Sequence, residues 1–193
     1  AEIERLAYFS PLGALAICEA LEGLNLAPLI KWPNDVLLNR RKVAGILVEA
    51  AWLGSQLEGL VIGTGLNIAS DSVPPAAQLL FPAISVQEAA GITVDRLELL
   101  RTILTNIFSW RARLFDPAFF NGWENRLAFR GEWVKLQETA SQASNNGELT
   151  GQMIGIDASG NLLLKTQSGA TTVVSVGDVH LRPIDSSGPQ AGS

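Results

Sequence analysis

The feature that most restricts this chain is the stretch from Lys31 to Glu49, KWPNDVLLNRRKVAGILVE. Two short apolar runs, Val36-Leu37-Leu38 and Val43 to Val48, flank the polar turn Asn39-Arg40-Arg41-Lys42, and only Gly45 interrupts the second run. Two β-rich runs joined by a short polar turn predict a hairpin. Pro33 lacks a backbone donor and biases Trp32 toward extended geometry. Lys31 is therefore predicted on a stiff, non-helical segment at the mouth of a strand. An ammonium held there is either a solvated surface charge or a cation aimed at a carboxylate or phosphate. Gly45 either forms a β-bulge or admits close backbone approach to a bound molecule.

A second β region follows. Val43 to Trp52 and Leu57 to Ile68 are apolar runs separated by Gly54-Ser55-Gln56. Near-continuous apolar runs predict strands covered on at least one face. The second run contains Gly63-Thr64-Gly65, with Asn67 just beyond. Bare backbone there either lets a flat ligand lie against the strand or serves a twisted, tightly packed strand. It is not a dinucleotide-binding fingerprint, because no third glycine follows at the required spacing and no helix opens after it.

Composition narrows the class. With 193 residues, 47% hydrophobic and 17% charged, the chain can bury a core and is predicted to fold as one ordinary domain plus a small one. A net charge of -5 disfavours a general nucleic-acid binder. The single cysteine, Cys18, excludes an internal disulfide, fits a reducing compartment and sits in an apolar helical pattern as a small hydrophobe. No apolar run reaches membrane-span length and the start is not a signal peptide, so a cytoplasmic protein without membrane partners is expected. His180 and Cys18 cannot build a metal site by themselves.

The remaining elements follow from local signals. Ser10-Pro11 predicts a helix start, with serine as the cap, and Gly23 predicts its end. A short helix is expected from Val86 to Ala90, stopped by Gly91. Thr93 or Asp95 then caps a long helix through about Phe115, with Leu97, Leu100, Ile103, Leu104, Ile107, Phe108 and Leu114 facing a core and Trp110 a candidate to join them. Asp116-Pro117 opens a shorter helix through roughly Leu127, with Phe119, Phe120 and Trp123 as its apolar face. From Gly131 onward, short apolar runs alternate with turn residues such as Asn145-Asn146-Gly147, Asp157 to Asn161, Ser168-Gly169 and Gly177-Asp178, which predicts a small β-barrel.

The pair KWPND (Lys31 to Asp35) and KVAGILVE (Lys42 to Glu49), followed by LVIGTGLNIA (Leu60 to Ala69), closely resembles the core of biotin–protein ligases, and the resemblance runs from the first residues to about Pro183. It implies an α+β fold: a mixed sheet with packed helices, as in class II synthetase-like cores, followed by an SH3-like β-barrel. The implied divisions are a catalytic core at 1–129, the barrel at 130–184 and a disordered tail at 185–193. The implied chemistry is ATP-dependent activation of biotin to biotinyl-5′-AMP, with Mg²⁺ accompanying the nucleotide. Transfer follows to a lysine on the carrier protein of a biotin-dependent carboxylase.

The resemblance also assigns residues. Lys31 matches the lysine between the biotin carboxylate and the α-phosphate, and its loss is expected to cost about 10²–10³ in rate. Val36 and the backbone of Gly63, Thr64 and Gly65 belong to the biotin pocket. Asn67 lies near the adenine or phosphate site. Trp32, Asn34, Asp35, Lys42 and Gly45 support Lys31 by ordering the hairpin. Arg182, in the Gly-Asp-Val-His-Leu-Arg segment with Asp178, either approaches the ATP phosphates or makes a surface ion pair. A homodimer is left open, and no DNA-binding domain is visible. The family's Gly/Arg-rich loop, of the form GRGRxGR, is expected upstream of the residues seen here, so weak or no activity is expected of this chain alone. Two alternatives remain: a lipoate or octanoate ligase or transferase, and a non-catalytic carrier-binding module.

Overall fold

A computed structural model of the chain describes residues 6–138, 148–175 and 179–184. The chain divides into two compact units, Ala1–Arg126 and Leu127–Ser193. Helices and antiparallel sheets together make an α+β fold, as the sequence predicts.

In the first unit, two tight turns build the sheet. Its strands are β1 (Leu29–Lys31), β2 (Asp35–Leu38), β3 (Arg41–Leu53) and β4 (Gln56–Leu66), in the order β1-β2-β3-β4. The predicted hairpin closes through Asn39-Arg40 alone, both with positive φ (51° and 61°). Two left-handed central residues give a turn whose twist matches that of the flanking strands, and asparagine tolerates this conformation. All four strands pair antiparallel. The parallel component of the sheet is an isolated bridge between Lys42 and Ala83.

Helix α1 (Phe9–Glu22) packs on one face of this sheet. Gly13 permits the close approach, because a Cβ there would lie 3.2 Å from Ile46 Cγ2. The helix starts two residues earlier than a Ser10 cap would allow. Tyr8 occupies the cap in a helical conformation, and Ser10 Oγ is buried without a partner. Tertiary packing drives this extension: Tyr8 and Phe9 pack on the cluster of Leu12, Leu15, Leu114 and Phe119. Cys18 is fully buried in α1, and burial pushes its thiol well above the usual range, against the opposing pull of Arg126.

β3 outruns this cover. Its 13 residues span roughly 43 Å, whereas the 14 residues of α1 span roughly 21 Å. The far half of the β3–β4 ribbon is therefore exposed, Trp52, Leu53 and Val61 included, where the apolar pattern predicted a covered strand.

Helix α2 (Val86–Ala90) is capped by Ser85, whose Oγ accepts from Glu88 N at 3.1 Å, and it ends at Gly91 with φ 69°. Helix α3 (Arg96–Arg111) opens on Asp95, whose Oδ1 accepts from Leu97 N at 2.8 Å and Glu98 N at 3.1 Å. Asp95→Ala removes both hydrogen bonds, and chemical denaturation should report a loss of about 1 kcal/mol. The predicted core face of α3 requires correction. Leu99 and Ile103 are its buried residues, whereas Leu97 (76% exposed), Leu100, Leu104 and Phe108 (65%) lie outside the core. Among the described helices α3 packs mainly against α1, so one narrow stripe suffices; Ile107 packs partly buried on the core, while Leu97, Leu100, Leu104 and Phe108 face outward. Trp110 does join the core, edge-on to Phe119 at 5.8 Å. Helix α4 (Pro117–Glu124) is capped by Asp116 and buries Phe119 and Trp123. Arg113 and the Ala118 backbone bond hold the Asp116 carboxyl below its ordinary value, the backbone bond contributing most.

The second unit is a five-stranded antiparallel sheet: β5 (Trp133–Glu138), β6 (Glu148–Ile156), β7 (Leu162–Lys165), β8 (Thr171–Val174) and β9 (Val179–Pro183), in the order β8-β7-β6-β5-β9. Val134, Leu136, Met153, Leu162, Leu164 and Leu181 form its core. The predicted turn at Asp157 closes β6 to β7. Burial works against the ionised Asp157 carboxyl, but hydrogen bonds from Asn161, Ser159 and Gly160 outweigh it and hold the group below its usual range. The turns at Asn145-Asn146-Gly147 and Gly177-Asp178, and the tail at 185–193, lie outside the described residues. No described helix is long and apolar enough to cross a membrane.

Candidate functional site

The register of the first sheet sets four residues in one row. Lys31 pairs with Asp35, Asp35 with Gly45, and Gly45 with Gly65. Directly paired residues point to the same face, so this row crosses all four strands on one side. Leu47 and Gly63 form the next pair on that side. The opposite side carries Ile46 and Ile62, which meet α1 at Gly13.

A bulge brings a second lysine to the row. Val36 pairs with Ala44 and Leu37 with Lys42, so Val43 is one residue too many on β3. In a regular strand, Lys42 and Gly45 would point to opposite faces, being three apart. The bulge turns Lys42 onto the face of Gly45, where a Cβ at position 45 would come within 3.0 Å of Lys42 Nζ.

Asp35 now lies between two cations. Lys31 Nζ donates to Asp35 Oδ2 at 2.8 Å, and Lys42 Nζ meets Asp35 Oδ1 at 2.5 Å. Lys31 is only 6% exposed and Asp35 is buried with it, whereas the Lys42 side chain is 39% exposed. Lys31 Nζ also sits over the Phe81 ring, 4.8 Å from its centroid. A buried charge must be paired, and this trio carries one positive charge in excess. Asn34 anchors the strand mouth: its carbonyl accepts from Ile46 N at 2.8 Å, and its Nδ2 donates to Ile46 O at 2.9 Å. Trp32 is fully buried beside it, and the Trp32–Pro33 bond is cis.

Over this row opens a cleft of about 460 Å³. Gly45, Leu47, Gly63 and Gly65 supply bare or apolar wall, Thr64 lines it too, and Asn34, Asp35 and Lys42 supply its polar part. A cleft walled in part by bare strand and apolar side chain, and in part by convergent polar groups, suits a small molecule with one anionic end.

The structure thus brings together Lys31, Asn34, Asp35, Lys42, Gly45, Gly63, Thr64 and Gly65. Lys31, however, lies behind Asp35, and Lys42 is the lysine that lines the cleft. Val36 is fully buried between Ile30 and Ala44 and does not line it. Asn67 also stands off the cleft. Its N–H donates to Val43 O, its carbonyl accepts from Val86 N, and its side chain donates to Ile84 O at 3.4 Å, tying the end of β4 to the segment before α2. Arg182 lies on β9 of the second unit, opposite Lys135, and Asp178 is outside the described residues. Leu47 and Phe81 escaped the sequence reading. Leu47 looked like one more core residue of an apolar run, and Phe81 stands in a loop with no local signal.

Known proteins resemble the chain in both units. Residues 2–67 match the Biotin/lipoate A/B protein ligase family, and residues 142–182 match the Biotin protein ligase C terminal domain. A biotin–[acetyl-CoA-carboxylase] ligase of Paracoccus denitrificans is 36% identical over 178 residues, covering 86% of this chain and 70% of that protein. A bifunctional ligase/repressor of Bacillus spizizenii is 30% identical over 88% of this chain, which spans about half (51%) of that relative. A solved structure of the biotin protein ligase from Aquifex aeolicus in complex with biotin and ATP superposes with a TM-score of 0.75 at 27% identity, covering 92% of this chain and 72% of that one. With both units matched and most of a curated relative covered at that identity, this chain belongs to the biotin–protein ligase family, a family of ligase enzymes.

Proposed function

We propose that this chain joins biotin to ATP, releases pyrophosphate, holds biotinyl-5′-AMP and passes biotin to one lysine of a biotin carboxyl carrier protein. The observation that carries this reading is the row Lys31–Asp35–Gly45–Gly65, with Lys42 turned onto its face by the bulge. In the first step a carboxylate oxygen of biotin bonds to the α-phosphorus while the bond to pyrophosphate breaks. Both reactants are anionic, so a cation between them lowers the barrier, most of all as charge develops. Lys42 supplies that cation at the cleft wall. Lys31 acts one layer behind, offsetting the charge of Asp35 so that the trio keeps one positive charge in excess although Lys42 also meets that carboxylate. In the second step the carrier amine bonds to the acyl carbon, AMP leaves with the electron pair of the C–O bond, and the amine proton passes to solvent.

The bare strand at Gly63 to Gly65 offers a flat surface for the ureido ring and tail of biotin. A Cβ at position 65 would meet nothing within 4 Å, so Gly65→Ala should fold normally. Its methyl would stand in the cleft, and calorimetric titration should show biotin affinity lowered about tenfold, as for an overpacked site. Asn67 and Arg182 remain candidates for the nucleotide side. Magnesium fits as an ion carried by the nucleotide phosphates. Among the described residues no three acidic, histidine or cysteine side chains cluster, and Asp35 is already held by two lysines. The use of ATP suits the cytoplasm. β4 forms an edge of the sheet with Val61 exposed, which supports a homodimer that sedimentation would report as a doubled mass.

The matched family also spans lipoate ligases, which keeps lipoate as a second substrate class. Thermal-shift titration separates them, together with exchange of labelled pyrophosphate into ATP. Biotin should raise the melting temperature and drive exchange, and lipoate should do neither. A response to lipoate without one to biotin would sink the biotin reading.

A further inference from the structure

One short segment touches both lysines of the trio. Phe81 places its ring 4.8 Å from Lys31 Nζ. The next residues grip the backbone of the other lysine: Lys42 N donates to Pro82 O at 2.7 Å, and Ile84 N donates to Lys42 O at 2.9 Å. Four consecutive residues, Phe81 to Ile84, therefore hold the ammonium of one cation and the main chain of the other.

The ring matters because Lys31 is buried. An ammonium has three donors, and Asp35 Oδ2 accepts one of its hydrogen bonds. The negative face of an aromatic ring within about 6 Å stabilises a cation that water cannot reach. Leucine would fill similar space but has no such face. Water would then have to solvate Lys31, and it would compete for Asp35 Oδ2. Released from Lys31, Asp35 would commit itself to Lys42, which lines the cleft.

We propose that Phe81 is a positioning residue of this site, acting through Lys31 to keep Asp35 neutralised and Lys42 available to an anionic ligand. The kinetic part rests on the ligase reading; the contact itself does not. The test compares Phe81→Leu, Phe81→Tyr, Lys31→Met and the Lys31→Met/Phe81→Leu pair. Biotin-dependent pyrophosphate exchange should fall about 5- to 10-fold in Phe81→Leu, stay near wild type in Phe81→Tyr, and be the same in the pair as in Lys31→Met alone. Equal losses in the leucine and tyrosine variants, no loss in either, or multiplying losses in the pair would overturn the proposal. Urea unfolding of the same proteins is read in parallel, and the two substitutions should be less than additive there as well. No exchange from the wild-type chain, the outcome expected of this chain alone, removes the kinetic comparison and leaves the ligase reading to the biotin and lipoate titrations. Phe81 is then judged on unfolding alone, where strictly additive effects overturn its role.

Discussion

Lys42→Ala should lower kcat/KM for biotin in pyrophosphate exchange by about 10²–10³-fold, the usual cost of losing one preorganised group that stabilises developing charge. The fold should survive, because the Lys42 side chain is 39% exposed and Asp35 keeps its bond to Lys31. Unfolding free energies within about 0.5 kcal/mol of wild type would check this, as for a surface substitution. Lys42→Arg keeps the charge but not the compact ammonium, and should recover only part of the activity. The comparison with Lys31→Ala is decisive. If Lys42→Ala stays within twofold of wild type while Lys31→Ala loses the activity, then Lys31 is the direct ligand after all, and the bulge has been misread.

Asp35→Ala should show the largest loss of stability at the site, about 3–5 kcal/mol, since it leaves the Lys31 ammonium buried with no anion. Lys42 contributes little to that loss, because water can reach it. Urea unfolding measures it directly. Lys31→Met combined with Asp35→Leu should regain most of the stability, because replacing a buried ion pair by well-packed apolar groups is often close to neutral. The same double variant should remain inactive: the site keeps one positive charge, but Lys42 loses the carboxylate that holds its ammonium over Gly45. A stable Asp35→Ala protein would mean that Lys31 escapes to solvent, and the buried trio would lose its energetic basis.

These expectations show where local chemistry sufficed and where it did not. Asp116, and Asp95 as one of two candidates beside Thr93, were legible as helix starts because an N-cap is a contact between a side chain and a backbone two or three residues away. Ser10 was misleading because aromatic packing of Tyr8 and Phe9 onto Leu12 and Phe119 outweighed its cap signal. The apolar face of α3 was drawn too wide: helical spacing reports which residues share a side, and the packing of α1 decides which of them are covered.

The chain's own order of residues determined the hairpin, the glycine-bearing strand, the helix caps, the β-rich second unit and the family, since each depends on neighbours a few positions apart. Tertiary structure alone decided which lysine meets the cleft. Lys31 and Lys42 look alike in one dimension. A strand register aligned Lys31 with Asp35 beneath the surface, and a single extra residue at Val43 rotated Lys42 over the glycine row. Phe81 reached Lys31 across 50 residues of chain, through a contact that no local pattern encodes.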